Sequence, residues 1–353
     1  MQFYVTKSGL ETFDVCRAYG LAQLLQVLAG GKGAPRIIDS GGVFLITMSV
    51  RPDAEDFKTS EQWVALFASD NWQRVFLTYK AAWKEQSDKV KKSLQRSAFE
   101  VIEEAQKKGL RVTFGTGFAL PGPLDPVGFK GLKGLTGGSY SEGQTEVDEF
   151  NWALGCLGAV VAQRYKIQKA QGNKWEYFVS VPVPSEVRFG NFLKIRELVY
   201  KAGLKYTGVR NAAAHFTLLL ADAVRELAEG NPAFPAKFSN LLYFSLFQSG
   251  QQFKPSRGGV ADLHRLIDMS LQRPAETGAM FDTWKYLFRR GSAQGNEDLA
   301  EAITELVMTP SPETYYRHAR IFNRYVVDTN KGVKHENLYT LEALKEVMHY
   351  AES

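Results

Sequence analysis

Cysteine and histidine are scarce in this chain, with two of the former and five of the latter among 353 residues. Cys16 and Cys156 stand far apart, so neither a disulfide framework nor a cysteine zinc site can be built from them alone, and a reducing cytoplasm is the expected setting. No histidines and carboxylates cluster at metal-ligand spacing, so neither a metal nor a cofactor is expected. Long hydrophobic runs are also missing. The stretch LAQLLQVLAGG from Leu21 is short and carries two glutamines, which fits neither a signal peptide nor a membrane span.

Catalytic motifs are missing too. GGKG at 30 to 33 lacks the spacing of a P-loop and the Ser or Thr after its lysine. GTGFALPG at 115 to 122 runs into Pro121 and Pro123 where a nucleotide-binding helix would have to begin. There is no G-x-S-x-G and no H-E-x-x-H. His215 with Asp222, or His264 with Asp268, leaves a composite hydrolase or transferase site as the catalytic alternative.

What is present is enough apolar residue, 44%, to bury a large core at this length. Forty-three Lys and Arg against thirty-eight Asp and Glu give a net charge of +5, which permits nucleic acid without demanding it.

The pattern predicts an α+β fold: a mixed domain with antiparallel hairpins over residues 1–208, then an all-α helical bundle over 209–353. Asp14 is placed as the cap of a helix through VCRAYGLAQLLQVLA, apolar on almost every side and stopped by Gly30 and Gly31. PRIIDSGGVFLITM reads as a hairpin. Residues 60 to 108 read as helices, with Trp83, Val90, Leu94, Val101 and Ala105 on the inner face. Lys89, Lys92, Arg96 and Lys107 fall on an outer face taken as solvated. RVTFG at 111 to 115 and WEYFVSVPVP at 175 to 184 read as strands, the latter pushed to a sheet edge or a strand end by Pro182 and Pro184. Helices are placed over 146 to 163, over 191 to 201 and from Val209 onward. The last break carries Ser311 as a cap and Pro312 in the first turn.

Three basic elements are candidates for holding a polyanion. GFKGLKGLTGGSYSEG, residues 128 to 143, repeats glycine every third position but lacks the prolines of collagen. It is either a linker or a phosphate cradle in which Lys130 and Lys133 give charge, glycine lets the backbone approach, and Ser139 and Tyr140 continue the contact. QSGQQFKPSRGG, residues 248 to 259, places Gln251, Gln252, Lys254 and Arg257 in a loop between helices, where glutamine can meet a base edge and cations can meet phosphates. On a helix from 312 to 328, Arg317, Arg320 and Arg324 share one side, as a salt-bridged surface or as a ridge for a nucleic-acid backbone. Lys285, Arg289 and Arg290 form a smaller counterpart.

The N-terminal TFDVCRAYGLAQLLQVLAG, followed by the hairpin, the glycine-lysine segment and a helical C-terminal portion, resembles the large subunit of CRISPR type I Cascade complexes, nearest the A and B subtypes. The resemblance implies a non-catalytic subunit of a DNA-surveillance complex. Its first domain would contact the guide RNA handle and read the protospacer-adjacent motif on target DNA. Its helices would lie along a strand of the R-loop, and its partners would be other Cascade subunits and a recruited helicase-nuclease. A protein-only scaffold that docks partner helices is the remaining alternative.

Overall fold

The structure, a computed structural model, describes the chain except residues 54, 78–81, 127–144, 170–174, 205–207, 232–235, 250–251, 292–296, 329–338 and 353; for 166–169, 175, 248–249, 252–254 and 328 it describes the backbone alone. The first half runs β1 (Gln2–Thr6), α1 (Glu11–Leu28), β2 (Arg36–Asp39), β3 (Val43–Thr47), α2 (Glu61–Leu66), α3 (Ser69–Trp72), α4 (Trp83–Lys107), β4 (Phe114–Ala119), β5 (Glu146–Val147) and α5 (Glu149–Ala162). It continues with β6 (Arg164–Lys169), β7 (Trp175–Arg188), α6 (Phe189–Ala202), α7 (Val209–Glu229), β8 (Ala236–Ser249) and β9 (Gln252–Asp262). Five helices follow: α8 (His264–Gln272), α9 (Pro274–Gly291), α10 (Glu297–Met308), α11 (Pro312–Asp328) and α12 (Leu341–Glu352).

Seven strands form one antiparallel sheet in the order β1-β3-β2-β7-β8-β9, with β6 also paired to β7. The α+β class and the closing run of helices hold. The difference lies at residues 236–262, which form two long strands of the main sheet where helices were expected; the helical run begins only at His264. Most of β8 between Ala236 and Leu246 is buried or half-buried, so the polar alternation that marks a strand is missing. Gln252 to Arg257 are accordingly strand residues of β9 rather than a loop between helices.

β7 is the spine of the sheet, not an edge. One side pairs with β8 from Glu176 to Val187; the other is shared by β6, as far as Val179, and β2, from Glu186. Pro182 and Pro184 fall in the gap between those partners, where register shifts mark irregular pairing. Proline lacks the N–H a ladder needs, so a strand open locally on one side tolerates it. The Tyr19 hydroxyl of α1 donates to the Pro182 carbonyl at 2.6 Å and so supplies the bond a strand would have made.

As its composition requires, α1 is buried on nearly every side, and it ends at Ala29 before Gly30 and Gly31, both in the left-handed region. It starts four residues earlier than predicted. Asp14 lies inside the first turn and reaches back to accept the Ser8 and Gly9 N–H groups at 2.7 and 3.1 Å. Against α1 lies α5, also apolar throughout, capped by Asp148, whose carboxylate accepts the Asn151 N–H at 3.0 Å. α4 covers α5 with Val90, Leu94, Val101 and Ala105 inward, as expected. β4 begins at Phe114 rather than Arg111.

α7 crosses β7, β8 and β9 and carries α8, α9 and α10; α11 and α12 complete the cluster around α9 and α10. At the start of α11 the Ser311 hydroxyl accepts the Thr314 N–H at 3.2 Å, with Pro312 in the first turn, as the sequence signalled. No described helix is long and apolar enough to cross a membrane.

Candidate nucleic-acid interface

A groove of about 1150 Å³ runs between α4 on one side and β4 with the first turn of α5 on the other. Lys89, Lys92 and Arg96 sit at i, i+3 and i+7 of α4, on one helical face, because Val90, Leu94 and Val101 take the opposite face into the core. Lys58, exposed just before α2, adds a fourth cation. The facing wall is apolar and aromatic: Phe118, Leu120 and Pro121, with Trp152 beyond Phe118 at a ring separation of 5.5 Å. Glu149 is the one acid among the described lining residues, and it pairs with Arg96. Lys89 pairs with Glu85 at 2.7 Å; Lys92 makes no ion pair with a described residue. Exposed pairs of this kind contribute little to stability, so Lys89 and Arg96 can exchange a carboxylate for a phosphate at little cost. Cations on one wall and aromatic faces on the other suit a charged backbone and its bases.

The groove adjoins the glycine-lysine segment through its anchors. Leu120 N–H donates to the Thr145 carbonyl at 2.8 Å, and the Thr145 hydroxyl donates to Asp125 at 3.0 Å, so the residues on either side of that segment meet at the groove's rim. Lys130, Lys133, Ser139 and Tyr140 themselves lie outside the described residues. The turn at Gly122–Leu124 packs on β9, and a cleft of about 360 Å³ is lined by Leu124, Asp125 and Pro126 from one side and Ser256, Gly258 and Gly259 from the other. The fold thereby brings the first predicted element's flank to the second. Arg257 is exposed on β9; Gln252 and Lys254 are described as strand backbone only, and Gln251 lies outside the described residues.

The third element stands on α11. Arg317, Arg320 and Arg324 are exposed on one side, while Tyr315, Ala319, Phe322 and Val326 are half-buried on the other, as the helical spacing required. Arg317 pairs with Glu305 of α10, rather than with Glu313, and Arg324 with Asp298 of α10 at 3.0 Å. Arg320 makes no ion pair with a described residue. The ridge thus clamps two helices together as well as presenting charge. Arg289 and Arg290 are exposed at the end of α9, each near the Tyr286 ring, at 5.6 and 5.3 Å. Lys285 is drawn inward instead, held by Asp222 at 2.7 Å and Asp282 at 2.8 Å.

Sequence reasoning set aside Lys89, Lys92 and Arg96, although their spacing is the same as that of Arg317, Arg320 and Arg324. Their interleaving with Glu100 and Glu103 argued for a solvated face, yet neither acid lines the groove. What the sequence does not reveal is the apolar wall opposite.

The residues that carry the family resemblance are mostly internal, and none lines the α4 groove. Arg17 is fully buried and Tyr19 is bonded to β7.

His215 is buried against Phe288, at a ring distance of 5.2 Å, and burial, with Lys285 nearby, pushes its pKa down to about 3. The carboxylate of Asp222 is engaged by Arg225 and Lys285. His318 is also buried. The Tyr339 hydroxyl accepts from Trp284 Nε1 at 2.8 Å and shares a hydrogen bond with His318 Nε2 at 2.7 Å. Burial pushes the His318 pKa down to about 4. Since that lies below the value near 6.5 of an unfolded histidine, the unfolded state binds the extra proton first, and stability is full above about pH 6.5 and falls towards pH 4. Replacing His318 by glutamine should remove about 3 kcal/mol of that acid loss, read as a flatter plot of Tm against pH between 6.5 and 4.5. An unaltered slope would mean that the imidazole titrates normally.

No family model matches the chain. It is 26% identical over 367 residues to an uncharacterized protein of Archaeoglobus fulgidus, an alignment covering 99% of this chain and 98% of that protein. The similarity therefore extends over sheet and helices alike, nearly from end to end.

Proposed function

We propose that this chain is a non-catalytic, nucleic-acid-binding subunit of a guide-directed DNA-surveillance assembly, in the role of a Cascade large subunit. In this reading it holds duplex target DNA and guide RNA in the cytoplasm together with other Cascade subunits, and presents the opened target to a recruited helicase-nuclease. The observation that carries the proposal is the α4 groove: four cations against one acid, an aromatic facing wall, and the anchors of a glycine-lysine segment at its rim. Guide pairing would supply most of the sequence specificity, so the protein needs backbone contacts and a short motif reader, and a modest net charge is enough. The arginines of α11 extend the same role to a separated strand.

The test is duplex-target binding across a salt series, using the chain assembled with its partner subunits and guide. Replacing Lys58, Lys89 and Lys92 together by alanine should weaken binding at least about tenfold at low salt. The slope of log K against log salt should fall by up to about 2.7, at about 0.9 for each phosphate that is no longer neutralised. An unchanged slope in a folded variant would overturn the groove assignment. Failure of the parent chain to retain any guide RNA or target DNA with its partners would overturn the function itself.

A further inference from the structure

A second concave site has a different chemistry. Where the residues after α3, the start of β6 and the last turns of α6 meet, a cavity of about 590 Å³ opens, within the range of about 300–1,000 Å³ usual for small-molecule sites. Its walls include two guanidinium groups lying on phenol rings: Arg74 over Tyr200 at 3.8 Å and Arg164 over Tyr177 at 4.6 Å. The backbone fixes both. Arg164 N–H donates to the Arg74 carbonyl at 3.0 Å, and Arg164 Nη2 donates to the Gln73 carbonyl at 3.1 Å, so the chain after α3 is stitched to the first residue of β6.

Three observations say that this site is incomplete as it stands. The Arg74 side chain makes no ion pair or hydrogen bond with a described residue, so a planar cation is held flat on an aromatic face with its donors unspent. The hydroxyl of Tyr165, a cavity-wall residue only 5% exposed, has no hydrogen-bond partner among the described residues. An orphaned buried polar atom calls for an explanation. Burial also pushes the guanidinium pKa of Arg164 below the ordinary arginine value, a penalty that an anion beside it would reduce.

Clustered guanidinium groups recognise phosphate, and an Arg plane backed by tyrosine offers a surface on which a base stacks. Asp70 on the rim is an acceptor for a sugar hydroxyl or an exocyclic amine. A bare anion would leave the three tyrosine rings unused, and a bare base would leave the donors of Arg74 unspent. We propose that this cavity binds one nucleotide unit, with its phosphate on the guanidinium groups and its base stacked on the Arg74–Tyr200 pair. The site shares no lining residue with the α4 groove and does not depend on it.

Equilibrium dialysis of the full chain against AMP, adenosine and inorganic phosphate tests this. AMP should bind at least about tenfold more tightly than either half-ligand. Arg74→Ala should weaken AMP at least about tenfold with Tm unchanged, since the side chain bonds nothing else described, and Arg74→Lys should fail to restore it because an ammonium cannot stack as a plane. Competition by a 5′-phosphorylated pentanucleotide identifies the source: displacement of AMP marks a unit of a strand, and no displacement marks a free nucleotide. Phosphate binding as tightly as AMP, or AMP binding unaltered in Arg74→Ala, would overturn the proposal. AMP retained by the Lys58, Lys89 and Lys92 variant separates this site's fate from that of the groove.

Discussion

Alanine at position 17 should cost the fold about 3–5 kcal/mol, the range for removing one partner from a buried charge network. Arg17 is fully buried and spends its guanidinium on four acceptors: Asn151 Oδ1 at 2.7 Å, Asp14 Oδ1 at 2.8 Å, the Thr6 carbonyl at 2.9 Å and the Leu110 carbonyl at 2.8 Å. Those partners lie at the end of β1, in α1, after α4 and in α5, so one side chain ties together four segments that are distant in sequence. Asn151 passes the link on, donating to the Arg111 carbonyl at 2.9 Å and to the Asp148 carboxylate. Removing the arginine takes the cation from the Asp14 carboxylate, only 2% exposed and then left to the donors of Ser8 and Gly9, and takes one donor from each of two carbonyls. Against a total of about 5–15 kcal/mol for an ordinary domain, that is a large share. Denaturant titration reads it as a lower midpoint with the slope preserved. A loss below about 1 kcal/mol would mean that water replaces the guanidinium in the native state.

Valine at position 158 should be worse, at least about 4 kcal/mol, with little folded protein recovered. Gly158 lies where α5 meets α1 backbone to backbone. A Cβ there would stand 2.7 Å from the Cys16 Cα and nearer still to its carbonyl, and no side chain can rotate to relieve it. Gly20 makes the reciprocal approach from α1, its would-be Cβ 2.8 Å from the Leu154 carbonyl carbon. The helices must separate or the chain must not fold. Gly190→Ala in α6 is the control: nothing lies within 4 Å of that position, and stability should stay within about 1 kcal/mol of the parent. Thermal unfolding of the pair separates a packing requirement from a general intolerance of glycine replacement.

The parts of this fold that the sequence discloses are those whose signals are local. The β2–β3 hairpin announces itself through Ser40, Gly41 and Gly42, the α4 stripe through its period, and α11 through Ser311 and Pro312. β8 was opaque because most of it is covered on both faces, which removes the alternation that distinguishes a strand from a buried helix. The position of β7 misled for a related reason: its prolines obey the edge rule, but the edge is a gap within the sheet, visible only once β2 and β6 are placed. The charged candidates divide in the same way. Spacing along one helix placed the α11 arginines correctly, whereas the α4 groove depends on Phe118 and Trp152, remote in sequence, and the arginine-tyrosine cavity on residues from 70 to 204.

The order of strands also sets a timetable. A nascent chain that has emerged through Arg188 already holds β7 beside β2 and β6, but that strand's other side stays bare until Ala236–Asp262 arrive. An open strand rich in Val and Phe invites pairing with a neighbouring copy on the polysome. The β8–β9 hairpin therefore acts as a late-arriving shutter, and α7, delivered just before it, shields the apolar surface in the interval.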